Sequence, residues 1–190
     1  LLGADYSQVE LRVMAHVSQD PGLIEAFERG EDIHATTAAA IFGVDLTDVT
    51  YEMRSTAKTV NFGLIYGQSA YGLARQLGIG VDEARAFIDR YFERFPGVRV
   101  YMDETQREAA EKGCVETLLN RRRYFPELAS DSRSSTRRRQ AAVRMAINTP
   151  IQGSAADIIK LAMIRLHRRL RAEDLGARML LQVHDEVVLE

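Results

Sequence analysis

The stretch RSTAKTVNFGLIYG, residues 54–67, decides how the rest of the chain is arranged. Arg54, Lys58, Phe62 and Tyr66 follow one another at intervals of four. On an α-helix each such step drifts by only about 40°, so the four side chains share one broad face. Two cations come first on that face and two aromatics follow. Over this span the axis advances ~18 Å, roughly the reach of a triphosphate, its nucleoside and a neighbouring base. Guanidinium and ammonium suit phosphate oxygens as charge-assisted donors, and rings further along accept a sugar and base by stacking. Gly63 and Gly67 sit where the backbone can approach a ligand or bend. A plain amphipathic helix with a wet cationic end produces the same ladder, so the motif needs company.

Composition sets the outer limits. The 190 residues, 46% hydrophobic and 27% charged, form a globular chain with a real core, as one domain or two intimate subdomains. A single cysteine, Cys114, excludes an internal disulfide framework and a thiolate zinc site, and points to a reducing, cytoplasmic setting. No apolar run reaches membrane-spanning length and no signal peptide is visible, so no membrane partner is expected. The net charge of −2 hides an uneven distribution: residues 121–144 carry eight arginines against Glu127 and Asp131. That stretch suits a polyanion or a solvated surface equally well.

LLGADYS reads as a short strand that delivers Asp5 and Tyr6 at its end, and helical periodicity takes over at 8–17. Ser7 with Glu10 fits a capping box, which gives Glu10 a structural job. Further helices are expected at 23–29, 34–42 (stopped by Gly43), 54–67, 70–77, 81–95 and 96–113. Residues 115–119 and 124–125 look like a strand pair around NRRR. A helix at 136–148 should break at Thr149–Pro150 and resume over 152–175. MLLQV, a tight turn at His184–Asp185 and EVVLE complete a hairpin. With both ends in expected strands, the chain reads as an excerpt of a larger protein.

Two carboxylates stand out, Asp5 at the end of the first strand and Asp185 at the last hairpin tip. If the strands are neighbours the carboxylates converge, and a pair with few other ligands suits Mg²⁺, which keeps water and phosphate oxygens in its shell. A His-Asp dipeptide also occurs in metal phosphohydrolases, but the four histidines here are too dispersed for that ligand set.

DYSQVELR (5–12), RSTAKTVNFGLIYG (54–67) and LLQVHDEVVLE (180–190) resemble, in order and spacing, motifs A, B and C of the family A DNA polymerases. EDIHATTAAAIFG, ETLLNRRRYFPEL and MAINTPIQGSAADIIKLAM, between them, are similar to the same family. The resemblance implies an α+β right-hand fold with an antiparallel palm sheet, residues 1–20 and 114–190 giving palm and DNA-contacting helices and 21–113 the fingers. It implies template-directed DNA synthesis with two Mg²⁺ ions, on primer-template DNA and deoxynucleoside triphosphates, by a monomer. Asp5, Asp185 and the Tyr6 carbonyl would hold the metals, with Glu186 in support. Arg54 and Lys58 would grip the triphosphate with His34 and Gln8, Phe62 would pack on the nucleotide and Tyr66 would stand near the templating base. Glu10 matches a residue that excludes ribonucleotides beside the sugar C2′, and can do so as well as cap. Arg144, Asn148, Gln152 and His184 match positions at the primer terminus and duplex minor groove. Arg121, Arg122 and Arg123 would meet backbone phosphate. Two rivals are a non-catalytic nucleic-acid-binding module on the same fold and the related single-subunit RNA polymerases; the presence of both aspartates argues against the first and DYSQVE against the second.

Overall fold

The computed structural model describes residues 1–129 and 132–190, so Asp131 of the arginine-rich stretch lies outside the described residues. Strand β1 (Leu2–Asp5) joins β4 (Met179–Val183) and β5 (Glu186–Leu189) in an antiparallel sheet of order β1-β5-β4. β1 pairs with β5 from Leu2↔Leu189 to Asp5↔Glu186, and the Tyr6 amide donates to the Asp185 carbonyl at 3.1 Å. The strands that carry the two aspartates are therefore neighbours. Register sets the faces, because directly paired residues share one and successive residues alternate. Ala4 and Val187 face the last long helix across a hollow lined by Ala162, Met163 and Leu166, which Asp5 and Tyr6 also border at the end of the strand. Asp5 and Glu186 take the opposite, open face, with the Glu186 side chain lying over Gly3, where a Cβ would collide with it.

Between the strands lie α1 (Val9–Ser18), α2 (Pro21–Glu28), α3 (Ile33–Phe42), α4 (Tyr51–Ile65), α5 (Ala70–Leu77), α6 (Val81–Arg94), α7 (Pro96–Lys112) and α8 (Thr136–Ala172). Asp20, Asp32, Thr50, Ser69 and Ser135 start helices by accepting from an amide two or three residues on. The main core unites Leu11, Met14, Ile33, Ile65, Tyr91 and Phe95 with Ile151 of α8. α3 packs against α4 and α6, and both α1 and α7 pack against α8. A smaller core of Val115, Phe125, Leu128, Ala142 and Ala146 lies under the hairpin of β2 (Cys114–Glu116) and β3 (Arg122–Tyr124). No described helix is long and apolar enough to cross a membrane.

Three local expectations fail. The capping box is not formed: the N-cap of α1 is Gln8, left-handed at φ 55° and without a side-chain cap bond. The Tyr6 amide still belongs to the sheet, so the chain turns into α1 abruptly; the Ser7 carbonyl accepts from Arg12 Nε at 2.9 Å and Glu10 turns away to Tyr66. α8 runs unbroken through Pro150. The proline costs ~3 kcal/mol in a helix interior, but Ile147, Pro150, Ile151 and Ala155 are buried here, at ~1.5–3 kcal/mol for each large apolar side chain. Two hydroxyls serve the disturbed turn, Thr149 Oγ1 donating to the Met145 carbonyl at 2.6 Å and Tyr101 to that of Ile147 at 3.3 Å. The first hairpin strand is shorter than expected, and the second starts earlier, taking in Arg122 and Arg123, because Thr117 and Arg121 form the turn and bond to α8.

Candidate active site

Phe62 and Tyr66 stand at the end of α4 with ring centroids 6.3 Å apart, and His34 of α3 lies 5.8 Å from Phe62. The two rings separate a pair of hollows. One, of about 390 Å³, is lined by Gln8, Glu10, Gln152, His184 and Asp185; the other, of about 510 Å³, is lined by Lys58, Gln68, Gln76 and Arg144. The β1–α1 junction, α4, α8 and the β4–β5 hairpin tip thus converge on one aromatic wall. Gln8 and His184 hold positive φ, 55° and 53°, a region that residues other than glycine adopt rarely and at some cost in strain.

Charge on the α4 face is arranged unevenly. Lys58 is exposed and makes no ion pair among the described residues, whereas Arg54 Nε lies 2.6 Å from Asp32 Oδ2. Asp32 also caps α3 through the amides of His34 and Ala35. Burial pushes the Asp32 carboxyl up, but Arg54 and those amides outweigh it and leave it below the usual carboxylate range. His34 is lowered to about 4, by burial first and then by Arg54 and Lys58, against the opposing pull of Asp32. The Tyr66 hydroxyl donates to Glu10 Oε2 at 2.7 Å, and burial together with that carboxylate raises the phenol above its ordinary range. On α8, Arg144, Asn148 and Gln152 recur at intervals of four; Asn148 Nδ2 donates to Gln152 Oε1 at 3.2 Å, and Asn148 Oδ1 is buried without a partner among the described residues.

Against this geometry, the family model for DNA polymerase family A matches residues 1–190. The chain belongs to DNA polymerase family A. It is 59% identical over its whole length to DNA polymerase I of Geobacillus stearothermophilus and 55% identical to that of Pseudomonas aeruginosa, covering 21% and 20% of those proteins. A thermostable DNA polymerase I of Thermus filiformis is 56% identical, with 22% of it covered. Among solved structures, the POL domain of Pol1 from M. smegmatis in complex with DNA primer-template and dNTP superposes with a TM-score of 0.93 at 52% identity, over 99% of this chain and 33% of that one. The chain therefore spans about a fifth of the length of these curated relatives, and its fold is part of the right-hand polymerase fold.

The arginine cluster of this family A chain does not join the aromatic wall. Arg121 Nη2 lies 2.9 Å from Asp157 Oδ1 and its Nε donates to the same oxygen at 3.0 Å, while Thr117 Oγ1 donates to Asp157 Oδ2 at 2.8 Å. Burial pushes the Asp157 carboxyl up, and the bonds from Thr117 and Arg121 bring it below its ordinary value. The knot is packed closely, since a Cβ at Gly153 would stand 2.7 Å from the Thr117 methyl. Arg122 pairs with Glu116 at 2.7 Å, and Arg123 donates to Thr149 Oγ1 at 3.3 Å with its guanidinium over the Phe125 ring.

For a metal, Asp5 and Asp185 offer hard oxygen donors on adjoining backbone, with the Tyr6 carbonyl next in sequence. No group of three His, Cys, Asp or Glu side chains among the described residues could hold an ion by itself. A two-carboxylate set of this kind fits Mg²⁺, which completes its shell with water and phosphate oxygens. Sequence reasoning missed Asp32, which holds Arg54, and Asn61, which holds His34. The available signal for Asn61 was an amide side chain inside a helix it does not favour, next to Phe62.

Proposed function

We propose that this chain carries the nucleotidyl-transfer centre of a DNA polymerase, where a primer 3′ hydroxyl attacks the α-phosphorus of a deoxynucleoside triphosphate and pyrophosphate leaves. The observation that carries this reading is the convergence of Asp185, Glu10, Phe62, Tyr66, Gln152 and His184 on one hollow, with Lys58 just across the aromatic wall. The M. smegmatis neighbour, bound to primer-template DNA and dNTP, supports the same substrates here. In this reading residues 21–113 form the fingers, residues 1–20 and 114–190 the palm, and the protein works as a monomer.

Lys58 and Arg54 receive the triphosphate. The Arg54–Asp32 pair keeps 38% and 40% of its side-chain surface exposed, so it is worth about 0–1 kcal/mol and yields to a stronger anion. Phe62 packs on the nucleoside, and Tyr66 stands at the template side. Glu10, held by Tyr66, occupies the sugar side and keeps out a 2′ hydroxyl. Arg144, Asn148, Gln152 and His184 offer donors to minor-groove acceptors that all base pairs share, which suits a copying enzyme. Asp5, Asp185 and the Tyr6 carbonyl would hold two Mg²⁺ ions, whose chemistry is to activate the attacking hydroxyl and neutralise charge on the leaving pyrophosphate. Glu186, on the same face as Asp5, adds negative potential beside them.

Primer extension by the full-length protein tests the proposal. Asp5→Ala or Asp185→Ala should abolish incorporation and spare duplex affinity, because phosphate contacts dominate DNA binding while the carboxylates act on the transition state. Near-normal turnover in either variant would sink the assignment.

A further inference from the structure

Asn61 is fully buried in α4, one residue before Phe62. An amide side chain in that position must find partners, and both lie on α3. Asn61 Oδ1 is 3.1 Å from Thr37 Oγ1, and Asn61 Nδ2 is 3.0 Å from His34 Nδ1. Thr37 is itself fully buried and His34 is 3% exposed, so the three side chains form a dry network at the α3–α4 contact.

Counting protons orients the network. The Thr37 hydroxyl has one hydrogen and also lies 2.8 Å from the Ile33 carbonyl. Asn61 Oδ1, which can only accept, is the atom turned to that hydroxyl, and Nδ2, which can only donate, is the one turned to His34. With Oδ1 turned to Thr37, the amide nitrogen of Asn61 faces His34 and donates. The ring nitrogen it meets must then be the one with the lone pair. A neutral imidazole has one donor and one acceptor nitrogen, so the proton resides on Nε2.

We infer that Asn61, backed by Thr37, is a positioning residue that holds His34 as the neutral Nε2–H tautomer, so that the imidazole offers the nucleotide a donor rather than a lone pair or a third cation. The inference rests on the reading of His34 as a nucleotide-binding residue. The charged groups around the ring are Asp32 at the start of α3 and Arg54 and Lys58 on α4. Beside two cations and out of water, a third positive charge is disfavoured; burial and those cations keep the ring neutral down to about pH 4. A phosphate oxygen accepts from Nε2–H, whereas the other tautomer would set a lone pair against an oxyanion.

The test reads the ring directly and then its effect on nucleotide affinity. In full-length protein labelled with ¹⁵N-histidine, with His34→Gln to assign the resonance, Nδ1 of His34 should be unprotonated and Nε2 protonated across pH 6–9. A proton on Nδ1 overturns the inference whatever any variant does. In Asn61→Asp the new carboxylate favours Nδ1–H and the imidazolium, so the His34 pKa should rise toward neutrality. Deoxynucleotide Kd should then become pH-dependent, near wild type below that pKa and weaker by about tenfold or more above it, with the maximal incorporation rate changed far less. Asn61→Leu should weaken affinity with no such pH dependence. An Asn61→Asp Kd that stays flat and equal to wild type, in protein that melts normally, contradicts the positioning role. His34→Ala separates the two readings: unchanged affinity there removes His34 from the nucleotide site and the positioning role with it, while lost affinity together with an Nδ1–H ring leaves His34 in the site and refutes only the tautomer lock.

Discussion

On α4 one cation has a shallow counter-ion and the other none among the described residues, whereas on the β2–β3 hairpin the leading arginine is tied to a deep one. The Asp32 side chain that holds Arg54 keeps 40% of its surface exposed, and Lys58 is exposed with no ion pair among the described residues. The Asp157 side chain that holds Arg121 keeps only 10% and is also bonded to Thr117. Both stretches read as phosphate-binding from their charge. We propose that the depth of the counter-ion, not the density of positive charge, decides whether a cation is free for a ligand. An exposed pair exchanges at a cost of about 0–1 kcal/mol. Breaking a pair with one buried partner leaves a stranded charge, so Arg121 is expected to hold the hairpin on α8 before it serves any phosphate.

The largest effect expected from this contrast is kinetic. Lys58→Ala should lower single-turnover incorporation by about 10²–10³-fold, the loss seen when one preorganised charge at a developing oxyanion is removed, and leave the melting temperature near wild type. An unchanged rate would return Lys58 to an ordinary solvated face.

Next in size is a pH effect at the base of the same face. His34 has an ordinary value of 6.5 and is lowered to about 4 in the fold. Between those values the unfolded chain binds the extra proton, so its contribution to stability is complete above about pH 6.5, falls as pH drops, and is exhausted near pH 4, amounting to up to ~3 kcal/mol. Denaturant titrations from pH 7 to 4 should show this slope in the wild type and a shallower one in His34→Gln; equal slopes would mean that the ring is not held neutral by burial.

On the hairpin the expectation reverses. Asp157→Ala should cost ~2 kcal/mol, below the full penalty of a buried pair because Arg121 is half exposed, and folded protein should incorporate nucleotide at a normal rate. Slow incorporation with full stability would move the hairpin into the active site. The smallest effect belongs to Glu10→Ala: about 1 kcal/mol for the lost Tyr66 bond, with no capping loss, accompanied by easier ribonucleotide incorporation. Unaltered sugar selectivity would leave Glu10 as a mere tether for Tyr66.

The α4 face was legible because an interval of four and two residue types suffice to define it, whereas the residues alone left the pairing of the strands beside Asp5 and Asp185 open and the resemblance to the family implied it. Pro150 misled because local propensity cannot register that α8 is buried between two cores, which offsets the missing amide. The Ser7–Glu10 pattern misled because the sheet still claims the Tyr6 amide and forces Gln8 into a left-handed turn. Asp32, Asn61 and Asp157 were invisible as partners because they lie 22, 27 and 36 residues from Arg54, His34 and Arg121. No local pattern carries such a pairing.

The most direct measurement compares Lys58→Ala with Arg121→Ala in the full-length protein, each by single-turnover incorporation and by thermal melting. Opposite losses are expected: Lys58→Ala slow but stable, Arg121→Ala destabilised but, once folded, as fast as wild type. If Arg121→Ala is the slow variant and keeps its stability while Lys58→Ala does not slow, counter-ion depth does not distinguish the two stretches and the assignment of the α4 face fails.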